Sequence, residues 1–288
     1  MVKNAITSNN SKGFTLVELL IALSISSIVM VAMYQTFNSQ QKSYMIQEDV
    51  ASMQQSLRAS MFLLTHDIRM AGYDSQLSDN FGIEFINPRD INNNVDTGNT
   101  GHSCIEVTED LDDSGTITAG ERIQYSVYDF IAGDGNIDIA RDSGTGRRLL
   151  AENIQGFGLA FAFDDDLDGE LDTYTAANPG ATQHIIWAID SDGDNDLDMH
   201  LDTDLNGIID LSDDTSADGM INGVALPSDV SIDNIRAVKI WLLAETDRTD
   251  QSFNNTTTYV VGKYVITPNN NKRMRLLGTT INCRNLGL

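Results

Sequence analysis

The sequence predicts an α+β fold, one long N-terminal helix laid on antiparallel β-sheet. Three observations carry that prediction. From Phe14 to Met33 run twenty residues with a single charge, Glu18. As a helix that run is about 30 Å long, the thickness of a bilayer's hydrocarbon core. No proline occurs between Phe14 and Asn87 and no glycine between Phe14 and Ala71, so nothing breaks the helix before Gly72. Beyond Gly72, apolar and polar residues alternate in short runs and no long helical pattern returns.

The helix is expected near 14–71, roughly 85 Å by its rise per residue. Residues 14–37 are apolar all round, as a membrane-spanning segment requires. Residues 38–72 form an amphipathic half. Val50, Met53, Leu57, Met61, Leu64, Ile68 and Ala71 recur at steps of three and four, one face for packing on a sheet. Its methionines suit core filling better than a cofactor site. Gly72 is a stop signal.

Residues 1–13 read as a short polar leader and 73–288 as a globular domain, with an acidic insert around 106–233. Residues 73–103, with Asn92–Asn94 and several glycines, read as loop with short strands. Strands are expected at Ile105–Val107, Arg122–Phe130, Arg147–Ala151, Phe157–Phe163, His184–Ile189, Ile235–Ala244, Tyr259–Thr267 and Met274–Cys283. Ile123, Tyr125 and Val127 alternate with polar residues, as do Phe157, Leu159, Phe161 and Phe163, the pattern of half-buried antiparallel strands. Asp134-Gly-Asn136-Ile-Asp138 reads as a hairpin turn.

Charge narrows the function. The formal net charge is −24. Residues 106–233 hold 30 of the 42 acids and 4 of the 18 bases, whereas 234–288 hold 3 acids and 8 bases. So acidic a middle argues against nucleic-acid binding there. Lys3 and Lys12 precede the apolar run, which keeps the N-terminus cytoplasmic and sends the rest across the membrane. Glu18 lies deep in an apolar helix, where a carboxylate costs several kcal/mol and demands a cationic partner.

Cys104 and Cys283 both follow the membrane segment. In an oxidising periplasm such a pair is expected to form a disulfide, worth about 4–5 kcal/mol in the chain-entropy model; the alternative is two independent buried thiols.

Four acidic stretches have metal-ligand spacing. Asp110, Asp112, Ser114, Thr116, Thr118 and Glu121 fit a twelve-residue calcium loop, with Gly115 at position six. Asp202, Asp204, Asn206, Ile208 and Asp213 fit it nearly as well, with Asp replacing Glu at position twelve. Asp164, Asp166 and Asp168 have the first half of the pattern but Thr175 at its end. Asp190, Asp192 and Asp194 have Asn195 in place of the glycine. Calcium takes six to eight oxygens, and alternating acids on a tight turn converge on one point. Solvated Asp/Gly turns are the plainer alternative, but the density of charge over 190–218 repels itself without cations. Two or more Ca²⁺ ions are therefore expected. The two half-matching loops, at Asp164–Asp168 and Asp190–Asp194, resemble the DxDxDG loops of thrombospondin-type and dockerin-like proteins, which bind calcium without flanking helices.

Nothing points to catalysis. His66, His102, His184 and His200 lack zinc-type spacing, and no G-x-S-x-G, P-loop or HExxH occurs.

Gly13-Phe14-Thr15-Leu16-Val17-Glu18, preceded by Lys12 and opening the apolar run, resembles the cleavage and methylation motif of type IV pilins and type II secretion pseudopilins. The resemblance implies cutting after Gly13 by a prepilin peptidase and methylation of the new amino group on Phe14. It gives Glu18, with Thr15 beside it, the assembly role: pairing with the N-terminal amine of a neighbouring subunit. Gln35 stands where many major pilins carry a helix-kinking proline. Ile68–Tyr73 after Thr65-His66-Asp67, Ile235–Leu243 and the closing strand through Cys283 resemble PilW-type minor pilins. That resemblance implies a subunit stored in the bacterial inner membrane, with its domain in the periplasm and later on a surface pilus. Its partners would be other minor pilins and the major pilin. Two alternatives stay open: a J-type minor pseudopilin of a type II secretion system, and a calcium-dependent surface adhesin exported by the pilin route.

Overall fold

The computed structural model describes residues 13–78, 80–87, 103–128, 130, 137–174 and 182–287. The leader (residues 1–12), Asn92–Asn94, His102, Asp134–Asn136 and Thr175 lie outside the described residues. The chain divides into two compact units, Met1–Glu48 and Asp49–Leu288.

In the first unit the described residues are the opening of α1, a helix that runs unbroken from Leu16 to Met70. It contains an 18-residue window of mean hydropathy 2.4 with no part buried, so it is long and apolar enough to cross a membrane. The helix is uninterrupted through Gln35, where no proline stands.

In the second unit α1 buries Met53, Leu57, Ser60, Met61, Leu64, Asp67 and Ile68, with Val50 and Ala71 in the same core. The helix stops at Gly72, whose φ is +75°. A Cβ there would stand 2.5 Å from Leu286, so both the backbone and the space require glycine.

Among the described residues thirteen strands follow: β1 (Ile83–Phe85), β2 (Ile105–Thr108), β3 (Arg122–Tyr128), β4 (Asp138–Asp142), β5 (Arg147–Ala151), β6 (Ile154–Phe163), β7 (Ala188–Ile189), β8 (Asp196–His200), β9 (Val224–Ser231), β10 (Ile235–Glu245), β11 (Tyr259–Val261), β12 (Tyr264–Ile266) and β13 (Met274–Asn282). β1 to β5 form a meander in chain order. A six-stranded sheet runs β13-β10-β6-β7-β8-β9, and β11 pairs with β12. Every pairing is antiparallel. The acidic stretch 106–233 thus supplies strands to both large sheets.

One core joins α1 to inward residues of both large sheets, with Tyr125, Phe157, Phe161, Val238 and Leu242 at its heart. Alternate residues of the six-stranded sheet feed a second core with Trp187, Leu201, Trp241, Leu243 and Val261. β6 and β10 carry both, because a strand covered on two faces buries nearly all its side chains, here all but Gln155, Arg236 and Lys239.

Three expectations need correction. His184–Ile189 shortens to the two residues of β7, Ala188–Ile189. Tyr259–Thr267 is a hairpin, turning at Gly262 with φ +61°. The expected disulfide does not form: Cys104 and Cys283 are both buried, and no S–S bond joins them. Ser103 N donates to Phe157 O and Cys283 N to Arg236 O, which lies beside Phe163 in the register. Cys104 thus follows a residue anchored part-way along β6, whereas Cys283 lies across β10 from the end of that strand, about six residues or 20 Å further along, while a disulfide needs Cα atoms within about 7 Å.

Candidate functional site

Two sets of residues carry chemistry. The first opens α1. Thr15 precedes the first helical residue, and its amide and hydroxyl donate to Glu18 Oε2 at 2.8 and 2.9 Å. Glu18 N donates back to Thr15 Oγ1 at 3.3 Å. This is a capping box, which satisfies helix-end donors and holds a carboxylate at the positive end of the helix. Glu18 thus has a local hydrogen-bond partner in Thr15, while the first basic residue after it on its own helix is Lys42, 24 residues on, too far to neutralise its charge. Gly13 and Phe14 lie exposed at the start of this segment.

The second set is the acidic loops, all in the second unit. Four groups bring carboxylate oxygens within 4.8 Å of one another: Asp110–Asp112–Glu121, Asp164–Asp166–Asp168, Asp190–Asp192–Asp194 and Asp202–Asp204–Asp213. In each, the first acid is buried and the next in the loop exposed, so every group opens to solvent on one side.

A shared backbone makes the groups. Asp110 accepts from the amides of Ser114 and Gly115. Asp164 accepts from Asp168 and Gly169, and Asp202 from Asn206 and Gly207. Asp190 accepts from Gly193 and Asn195. Loop positions four and six are left-handed each time: Asp113 and Gly115, Leu167 and Gly169, Gly193 and Asn195, Leu205 and Gly207. Two left-handed residues curl the chain so that side chains one, three and five point inward.

The closing acids differ between loops. Glu121 accepts from Leu111, Asp112 and Thr118. Asp213 accepts from Thr203, Asp204 and Asp210, the same three loop positions. Aspartate therefore replaces glutamate at position twelve with its contacts kept. In the other two loops position nine closes the turn. Asp172 accepts from Asp165 N, and Asp198 from Ser191 N and Oγ. Ser114 Oγ donates to Thr116 O, and Asn206 Oδ1 accepts from Ile208 N, so the expected residues at positions five and seven also meet at the loop mouth.

Sequence reasoning left Asp172 and Asp198 without a role, and it missed a fifth loop. Asp214 accepts from Asp218 and Gly219, with Ala217 and Gly219 left-handed. The signal was present as Asp214-x-Ser216-x-Asp218-Gly219-x-Ile221, with serine where the other loops carry aspartate.

The electrostatics divide the acids. The Thr118 amide above all, with those of Leu111 and Asp112, pushes Glu121 from its ordinary 4.5 down to about 2. Burial pushes Asp190 and Asp202 up, and burial with neighbouring aspartates pushes Asp172 up. The donor set in all four groups is oxygen alone, which fits a hard cation and not zinc or copper.

Other predicted residues serve structure. His66 Nδ1 lies 3.0 Å from Asp67. The Tyr174 hydroxyl lies 2.5 Å from His200 Nδ1. The His184 ring lies against Gly207.

Comparison with known proteins supplies the kinship. Residues 8–34 match the prokaryotic N-terminal methylation motif. Residues 47–190, half of the chain, match prepilin peptidase-dependent protein B. No curated protein matches the chain. Among solved structures, a type IV-like pilin from Thermus thermophilus is similar at 11% identity and a TM-score of 0.36, covering 81% of this chain and 97% of its own. The methylation motif, the apolar helix behind it and the match over half the length place this chain in the prepilin peptidase-dependent protein B family, as a type IV pilin-like prepilin.

Proposed function

We propose that this chain is a minor pilin of a type IV pilus, and that it works by assembly rather than catalysis. It is held in the bacterial inner membrane, N-terminus cytoplasmic and globular domain periplasmic, until prepilin peptidase cuts after Gly13 and Phe14 is methylated. The apolar half of α1 then leaves lipid for the filament core. There Glu18 meets the N-terminal amine of an adjacent subunit, and the domain docks on other minor pilins and the major pilin at or near the tip. The observation that supports this reading is the capped carboxylate of Glu18, the fifth residue of the cut chain, on a helix whose apolar half holds no cation, the first basic residue after it being Lys42. Calcium fills the acidic loops in this reading, because hard oxygen donors on twelve-residue turns are its usual ligands.

The test is mass spectrometry of the native protein together with pili sheared from cells carrying Glu18→Leu. The expected results are a chain beginning at methylated Phe14 and a sharp fall in the variant's share of the pili. Retention of the leader, or incorporation equal to the parent's, overturns the proposal.

A further inference from the structure

One sheet edge lacks the bulges, prolines and shortness that blunt the others. β1 is three residues long with an irregular register. β5 has a register shift against β4. β9 contains Pro227 and a shift against β8. β13, by contrast, is nine residues long and pairs with β10 in nine consecutive steps with no shift. Its other side has no strand neighbour among the described residues. A long regular edge is a template for another strand unless something prevents pairing.

The phase of the ladder identifies the groups on offer. Cys283 N donates to Arg236 O at one end of β13 and Thr246 N donates to Arg273 O at the other. These residues are ten apart on both strands, so every second pair between them is hydrogen bonded. The pairs in between turn their amides and carbonyls outward: Met274, Leu276, Gly278, Thr280 and Asn282.

Charge selects the occupant. Residues 234–288 carry 3 acids against 8 bases in a chain of net charge −24. Arg273 and Lys272 are engaged by Asp250 and Glu245. Arg275 on β13 and Arg284 just beyond it are exposed, and no ion pair involves either among the described residues. Two copies joined edge to edge would lay one basic strand, with Lys272, Arg273, Arg275 and Arg284 at or beside it, on another, and like charges on paired strands repel. We infer that the outer edge of β13 accepts an extended acidic segment of a different protein, which adds as a seventh strand beside Arg275 and Arg284. Main-chain bonds to the outward groups hold it, and the arginines decide which strands are admitted.

Proline at position 280 isolates the claim. It removes one outward amide, leaves every bond to β10, and suits an edge strand. The probe is a pair of synthetic ten-residue peptides, alternating Val/Glu and Val/Lys, titrated into the full-length protein in detergent and read by fluorescence anisotropy. The Val/Glu peptide is expected to bind the parent and Thr280→Ala alike, and at least tenfold more weakly to Thr280→Pro. Arg275→Glu should lose the Val/Glu peptide and gain the Val/Lys one, a result that stands even if Thr280→Pro fails to fold. Failure of the parent to bind Val/Glu, equal binding by a folded Thr280→Pro, or an edge-dependent dimer of the parent without peptide overturns the inference.

Discussion

The phenol of Tyr125 on β3 donates to Asp67 on α1 at 2.6 Å, deep between helix and sheet. Arg141 on β4 donates to the same carboxylate oxygen at 2.7 Å. Asp67 is 4% exposed and Tyr125 wholly buried. Three elements far apart in sequence thus meet on one oxygen, and burial together with Asp67 pushes the Tyr125 phenol well above its ordinary value. Removing the hydroxyl should therefore be costly. Tyr125→Phe is expected to lower stability by about 1–3 kcal/mol, read from urea unfolding of the full chain in detergent, because it leaves a buried acceptor short of a donor. A change within error would show that water supplies the missing bond.

Cation removal should soften the domain. If calcium fills the loops at a hundred times its dissociation constant, it adds about 2.7 kcal/mol per site. Chelation is expected to lower the melting temperature, and Glu121→Gln with Asp213→Asn to reduce the effect of chelation. A melting curve indifferent to chelator would remove calcium from the account.

Acid should act through Glu121 in a defined window. Its folded value lies below its ordinary one, so it contributes stability above about pH 4.5 that is lost as pH falls toward 2. Asp190, Asp202 and Asp172 are raised by burial and act in the opposite sense, weakening the metal-free fold at neutral pH and relieving it on acidification. In chelator, Glu121→Gln is expected to flatten the acid side of the stability profile between pH 4.5 and 2 while leaving the rest unchanged.

The two cysteines should report unfolding. Burial pushes the Cys283 thiol up to about 12, and Cys104 has no exposed surface. Iodoacetamide without reductant is expected to label neither in the folded chain and both in denaturant. Labelling that requires a reductant would mean that a disulfide forms after all.

The cap at the head of α1 gives a graded test of assembly. Thr15→Val keeps the size but removes the hydroxyl that bonds Glu18, while the Thr15 amide bond survives. It should cost about 1 kcal/mol at the helix start and lower pilus incorporation less than Glu18→Leu does. Immunoblots of sheared pili measure both.

The long helix, its buried face and the strands with clear alternation were legible in the sequence because one-sided burial imprints a period on the residues. β8 and β9 were not. Asp196–His200 reads as part of an acidic turn, and Val224–Ser231 carries Pro227 and an exposed edge without apolar rhythm. The four acid loops were visible as spacing, but their closing acids were not. Whether position nine or twelve ends a turn depends on where the following strand leads the chain. The disulfide failed for the same reason, since two cysteines in sequence carry no record of where along the sheet each will be held.

β8 spans only five residues, and an acidic turn bounds it on either side, Asp190–Asp194 before it and Asp202–Asp213 after. β9 pairs with β8 alone. That corner of the sheet hangs from two hinges of like charge, so loosening either frees both strands at once. β10 and β13, rooted at the far side, would keep their places.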